Sequence, residues 1–164
     1  MHRNDLLLMK PEELLKHCTV QAHRGGGPGG QKRNKTFSGV RIKYSPFNLE
    51  ILCNENRSPH INKSLALKRL RLSIAIKVRE PIDEEVMEFP GQKGRISSQN
   101  LLYAPWIAQV LDYFEHYQGQ LKPVAEKWNL SNSALVRIFF SEKQLISEVQ
   151  KIRQKNKLNR LNPP

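Results

Sequence analysis

The residues with the most evident chemistry are His23-Arg24-Gly25-Gly26-Gly27-Pro28-Gly29-Gly30-Gln31-Lys32-Arg33-Asn34-Lys35, where five of the chain's nine glycines fall at positions 25–30. Such a backbone reaches φ > 0 and approaches a partner without Cβ atoms in the way. The Gln31 amide is the one central side chain that both donates and accepts hydrogen bonds. An amide is no general base at neutral pH, so any catalysis here works through position and hydrogen bonding. Arg24, Lys32, Arg33 and Lys35 flank the stretch and call for a polyanion. A flexible linker between two basic elements is the plain alternative. A phosphate cradle is the other, but Gly-Gly-Gln stands where the lysine and hydroxyl of a P-loop belong.

Other chemistries lack their residues. His17, His23, His60 and His116 are isolated, with no HExxH pattern and no Cys/His cluster, so no metal site is expected. Cys18 and Cys53 are too far apart for a CxxC pair and are expected as buried free thiols in strand-like surroundings. There is no GxSxG elbow, and Asp83-Glu84-Glu85 sits in a loop-like acidic run rather than a catalytic setting. No cofactor is expected.

The elements that must hold the glycine-rich stretch follow from periodicity. Pro11-Glu12-Glu13 opens a short helix, with proline and acids in its first turn. Residues 18–23 alternate and carry β-branched side chains, which predicts a strand running into the glycines. Residues 38–44 alternate Val40, Ile42 and Tyr44 against Arg41 and Lys43, and residues 45–48 have turn chemistry before a returning strand at 49–53. An amphipathic helix is expected from Asn62 to Lys77, with Ser58 or Asn62 as its cap; a strand over 70–78 is the minor alternative. Trp106, Val110 and Phe114, at i, i+4 and i+8, predict a buried helical stripe. Residues 121–139 have the outline of a helix-turn-helix, the second helix capped by Ser131 or Ser133. With Arg137 its only cation, that helix reads as packing rather than as a groove reader. A last helix from Glu142 to about Lys155 is expected to bury Leu145, Ile146, Val149 and Ile152.

The chain has 164 residues and a formal net charge of +12. Residues 1–80 carry 16 Lys and Arg against 6 Asp and Glu, whereas residues 81–164 carry 11 against 9. Within that nearly neutral half, the last fourteen residues hold five cations and no acid. Two basic regions on one chain point to nucleic acid, with the end able to track RNA or simply to solubilise. The apolar run at 5–10 is too short for a signal peptide or a membrane span, so a cytoplasmic protein is expected.

Three motif blocks then stand in order. They are Gly27-Pro28-Gly29-Gly30-Gln31-Lys32-Arg33-Asn34-Lys35, the strand Gly39-Val40-Arg41-Ile42, and Asn56-Arg57-Ser58-Pro59-His60-Ile61-Asn62-Lys63-Ser64-Leu65-Ala66-Leu67-Lys68-Arg69-Leu70. Over about residues 17–78 the chain resembles the catalytic domain of class I peptide chain release factors. The resemblance implies hydrolysis of the ester between nascent peptide and tRNA in the ribosomal peptidyl transferase centre. Gln31 then forms the tip: its backbone N–H stabilises oxygen charge and its side chain shapes the water site, while Gly29 and Gly30 permit the loop conformation. Arg24, Lys32, Arg33, Lys35, Arg57 and Lys63 are the implied contacts to rRNA or tRNA.

About sixteen residues precede the matching region, which is expected to leave no room for a codon-reading domain. The organisation is more similar to the small codon-independent rescue factors of bacteria and mitochondria. In that setting Lys151, Arg153, Lys155, Lys157 and Arg160 are expected to attach to RNA. The fold expected is α+β: a small antiparallel or mixed sheet packed by a helix with an exposed GGQ loop, then a helical region and a basic tail. Its divisions are expected at 1–79 for the catalytic domain, 80–99 for an acidic linker rich in proline and glycine, 100–150 for the helical module and 151–164 for the tail. The partners expected are the ribosome, on the large subunit, and peptidyl-tRNA, with no DNA and no membrane, for a monomer. A non-enzymatic RNA-binding protein on the same fold, and a peptidyl-tRNA hydrolase acting off the ribosome, are the alternatives.

Overall fold

A computed structural model describes residues 2–24, 38–82 and 85–164. The chain divides into two compact units, Met1–Ile74 and Ala75–Pro164.

The first unit is α+β. Helices α1 (Arg3–Leu8) and α2 (Pro11–Lys16) precede a three-stranded antiparallel sheet in the order β1 (Thr19–His23), β2 (Gly39–Tyr44), β3 (Leu49–Cys53). Helix α3 (Pro59–Lys77) follows and ends within the second unit. The sheet is antiparallel throughout because each connection returns the chain directly, with β2 and β3 joined by a 3-10 turn at Ser45–Phe47 that ends on Asn48 at φ 48°. Asparagine tolerates that left-handed region better than most residues.

The predicted alternation in β2 is real. Val40, Ile42 and Tyr44 are buried, along with Leu49 and Cys53 beside them in β3. On the opposite face Arg41 and Lys43 share Glu50 at 3.3 and 3.2 Å. Helix α3 supplies Ala66, Leu67, Leu70 and Ile74 to the core and reaches the sheet at Cys53, whose Sγ accepts from the Arg69 guanidinium at 3.3 Å. The helix starts at Pro59, three residues before the expected start at Asn62, because proline at a first helical position costs no hydrogen bond. Its cap is Ser58, whose carbonyl accepts from the Asn62 amide at 3.1 Å. The strand alternative over 70–78 is not adopted.

The expectation for the cysteines needs correction. Cys53 is fully buried, but Cys18 is half-buried and precedes β1, its thiol donating to the Leu14 carbonyl at 3.3 Å. Burial raises the pKa of both thiols. Helix α1 was not legible in the sequence; it is six residues long and buries Leu6 and Leu7.

The second unit is helical: α4 (Tyr103–His116), α5 (Leu121–Lys127), α6 (Asn132–Phe140) and α7 (Lys143–Lys155). Trp106, Val110 and Phe114 are fully buried, as the stripe predicts. Around them Phe89, Trp128 and Phe139 make edge-to-face pairs, with ring centroids 5.1 Å from Phe89 to Trp106, 5.8 Å from Trp106 to Trp128 and 5.2 Å from Phe114 to Phe139. The α5–α6 pair has the expected outline, and the cap of α6 is Ser131, whose hydroxyl accepts from the Ala134 amide at 3.1 Å. In α7, Leu145, Val149 and Ile152 are buried, whereas Ile146 is only half-buried.

Residues 85–90 lie along α4. Gln109 accepts from the Met87 amide at 2.8 Å and donates to the Glu85 carbonyl at 2.9 Å, and the Trp128 indole donates to the Met87 carbonyl at 2.7 Å.

Candidate functional site

The glycine-rich stretch leaves the sheet at β1 and returns at β2, and the last pair of that ladder is His23 with Gly39. The two ends of the segment 24–38 are therefore held one strand spacing apart, about 5 Å. Gly39 is required at that closing pair: a Cβ there would stand 2.8 Å from the His23 carbonyl and 3.3 Å from the Asn54 Cβ. Gly29, Gly30, Gln31, Lys32, Arg33 and Lys35 lie outside the described residues.

Sequence reasoning considered Asn62 only as a cap, yet it joins the pieces. Asn62 is fully buried, and its amide donates to the Ser38 carbonyl and to the Asn56 carbonyl, both at 2.7 Å. Its side-chain oxygen accepts from the Asn56 amide at 2.9 Å. One side chain thus ties the return of the glycine-rich segment to the turn after β3 and to the first turn of α3. The signal was a polar residue on the inward face of an amphipathic helix, which is rare unless its hydrogen bonds are met.

The cations expected beside the loop divide accordingly. Arg24 is exposed at the end of β1. Arg57 follows Asn56 and Lys63 follows Asn62, both exposed, so the two flank the knot that Asn62 makes. Arg69, not singled out beforehand, pairs with Glu55 at 2.5 Å and braces the same turn.

The C-terminal cations have different occupations. The Arg153 guanidinium donates to the Gly119 carbonyl and to the Asn159 carbonyl, both at 2.7 Å, and desolvation lowers its pKa. Lys155 pairs with Glu115 at 3.3 Å and Lys151 with Glu148 at 3.4 Å. Lys157 adopts φ 57°, the left-handed residue that ends α7, with the Leu158 amide returning to the Arg153 carbonyl at 2.9 Å. Beyond this turn the chain runs back along the helix: Gln150 donates to the Leu161 carbonyl at 2.8 Å and accepts from the Leu161 amide at 3.0 Å. Residues 157–161 are a pinned return segment.

A family profile described as RF-1 domain matches residues 12–101, more than half of the chain. Among curated proteins, "Peptide chain release factor 1" of Salinibacter ruber is 42% identical over 62 residues, 38% of this chain and 17% of the relative. "Peptide chain release factor 2" of Thermotoga petrophila is 33% identical over 114 residues, 70% of this chain and 28% of the relative. "Peptide chain release factor 2" of Kosmotoga olearia is 34% identical over 123 residues, 72% of this chain and 32% of the relative. The chain spans no more than about a third of the length of these relatives. No solved structure matches it.

Proposed function

The chain belongs to the RF-1 domain family, that of class I peptide chain release factor catalytic domains, and on that premise we propose that it hydrolyses the ester of peptidyl-tRNA on the ribosome, without reading a codon. The observation that carries the reading is the closed stem. A GGQ-bearing segment emerges from a ladder pair, His23 with Gly39, and its return is fastened by the buried Asn62. Catalysis by position needs a stem of this kind, because the amide of Gln31 contributes no ionisable base and the reacting groups belong to tRNA, rRNA and water.

In this reading Gly29 and Gly30 shape the tip and the Gln31 backbone N–H donates to the oxygen that gathers charge. Arg24, Lys32, Arg33, Lys35, Arg57 and Lys63 hold rRNA or tRNA around it. The domain spans 1–79, the acidic segment 80–99 leads to the helical module at 100–150, and the basic end at 151–164 attaches to RNA. That second attachment, through Lys151, Arg153, Lys155, Lys157 and Arg160, is what supports codon-independent rescue: cations on a helical module bind phosphates whatever the base sequence.

Peptide release from ribosomes stalled at the end of a truncated mRNA tests both parts. Release should be as fast without a stop codon as with one; strict dependence on a stop codon overturns the rescue reading. A well-aimed oxyanion donor is worth about 3 kcal/mol in other enzymes, a hundredfold or more in rate. Because the donor here is backbone, Gly30→Ala should slow release by about that factor and Gln31→Ala by less. Equal, near-normal rates for both would sink the mechanism.

A further inference from the structure

The return of the chain along α7 makes a groove. Two adjoining hollows, of about 470 and 430 Å³, share Ser147, Gln150 and Arg160 as their common wall. Lys151 and Lys157 line the first and Lys143 the second. Neither hollow is lined by an acidic residue. The groove is preorganised: the left-handed turn at Lys157 reverses the chain, Arg153 holds the Asn159 carbonyl, and the Gln150 amide bonds Leu161 twice. Gln150 and Arg153 thus spend their polar groups on the wall, which leaves Lys143, Lys157 and Arg160 to face outward. Lys151 joins them through an ion pair with Glu148 in which the lysine side chain is 70% exposed, a surface contact that competes weakly with another anion.

We propose that this groove is the surface that seats an RNA strand by its phosphates, through Lys143, Lys151, Lys157 and Arg160. The inference rests on the reading of the chain as a ribosome-acting factor and narrows it: Lys143 is added, and Arg153 and Lys155 act as props. Lys143 and Lys151 lie eight residues apart on one helix, roughly 12 Å along its axis. Over that length a strand of helical geometry presents roughly three to four phosphates, at about 3.4 Å of axis each. The four cations match that number. No aromatic ring lines the first hollow and only that of Phe140 lines the second, so the seat is made chiefly by cations that hold phosphates rather than by rings that stack bases.

The test measures affinity of the full chain for a mixed-sequence single-stranded RNA of about twenty nucleotides across a salt series, with polyglutamate as competing probe. Lys143→Gln/Lys151→Gln/Lys157→Gln/Arg160→Gln should weaken binding at least tenfold at low salt. It should also flatten the slope of log K against log salt by close to three, at about 0.7 per phosphate for a single strand. A charge-matched comparison separates site from net charge: Lys151→Gln/Arg160→Gln should lose several-fold more affinity than Lys93→Gln/Lys122→Gln, all four being exposed residues. Equal losses in the two pairs, or polyglutamate binding as tightly as RNA, overturn the proposal. Release on stalled ribosomes is scored in parallel, where the groove variants should raise the half-saturating concentration and leave the maximal rate alone. A wild-type chain that binds RNA through the groove but releases no peptide overturns the ribosomal reading and leaves the groove an RNA site.

Discussion

Asn62 shows how much one buried amide decides. Its three hydrogen bonds, at 2.7, 2.7 and 2.9 Å, connect elements up to 24 residues apart in sequence, and no water reaches the side chain. Asn62→Ala removes all three and leaves two carbonyls and an amide to find other partners, each at about 1 kcal/mol or more. We expect a loss of about 3 kcal/mol in urea unfolding. Peptide release should fall at least tenfold in maximal rate, with ribosome affinity within about twofold of wild type. A variant that is destabilised but releases at the normal maximal rate would show that the stem does not aim the loop. Asn62→Asp is the sharper probe, since it sets a carboxylate against the Ser38 and Asn56 carbonyls. Burial and those two acceptors raise its folded-state pKa above the ordinary value of about 3.9. The sign follows: protonated, the new side chain regains one donor, so relative to wild type the variant's deficit is smallest below pH about 4 and grows as pH rises through the raised value. The wild type, whose amide does not titrate, shows no such loss from this position. Unfolding curves at pH 4 and pH 7 for both chains check it.

At the scale of elements, three helices of the second unit turn out through a first left-handed residue that is not glycine, although at the end of α4 the next residue, Gly119, is also left-handed at φ 80°. Gln118, Asn129 and Lys157 have φ of 53°, 52° and 57°. Each is followed by an amide that bonds the carbonyl five residues back: Gly119 to Phe114, Leu130 to Ala125 and Leu158 to Arg153. A residue with a Cβ is strained there by about 1 kcal/mol, less for asparagine. Gln118→Gly should therefore raise stability by about 0.5–1 kcal/mol, and Asn129→Gly should change it less; thermal unfolding of both separates the strain from the entropy a new glycine adds to the unfolded chain. These caps also mark where the sequence stops being legible. The strands, the stripe through Trp106 and Phe114 and the hydroxyl cap Ser131 could be read because periodicity and cap chemistry are local. Helix α1 could not, because six residues with Leu6 and Leu7 inside carry less than two turns of pattern. The start of α3 is ambiguous in the sequence because Ser58-Pro59 and Asn62 offer competing caps, and only the long-range bond to Ser38 shows that Asn62 turns inward. The return of residues 157–161 has no signature in the sequence because its pins, Gln150 and Arg153, are polar side chains that bond backbone eleven and six residues further along, a pairing that no local period announces.

For the whole molecule, the division between Ile74 and Ala75 falls within one helix, and the reporter residues are sorted by unit. Trp106 and Trp128 lie in the second unit; Cys18 and Cys53 lie in the first. The units differ in what they bury. Helix α4 alone has eleven buried residues of fourteen, with four aromatic side chains among them. The first unit has a three-stranded sheet in which β1 is exposed on both faces except at His23, with Val20 at 41% even though it pairs with the fully buried Ile42. An edge strand so thinly covered adds little to its unit's cohesion, so the first unit should open at lower denaturant than the second. In a Cys18→Ser chain, which keeps a donor for the Leu14 carbonyl, Cys53 is the only thiol. Folded, it is inaccessible and burial holds its pKa up, so it stays protonated at pH 8 and reacts only on opening. Its labelling midpoint in urea should fall below the midpoint of tryptophan emission by roughly 0.5 M or more, the shift that about 1 kcal/mol makes at a slope near 2 kcal/mol/M. Coincident midpoints would mean that α3, which runs through the division, couples the two units into a single unfolding step.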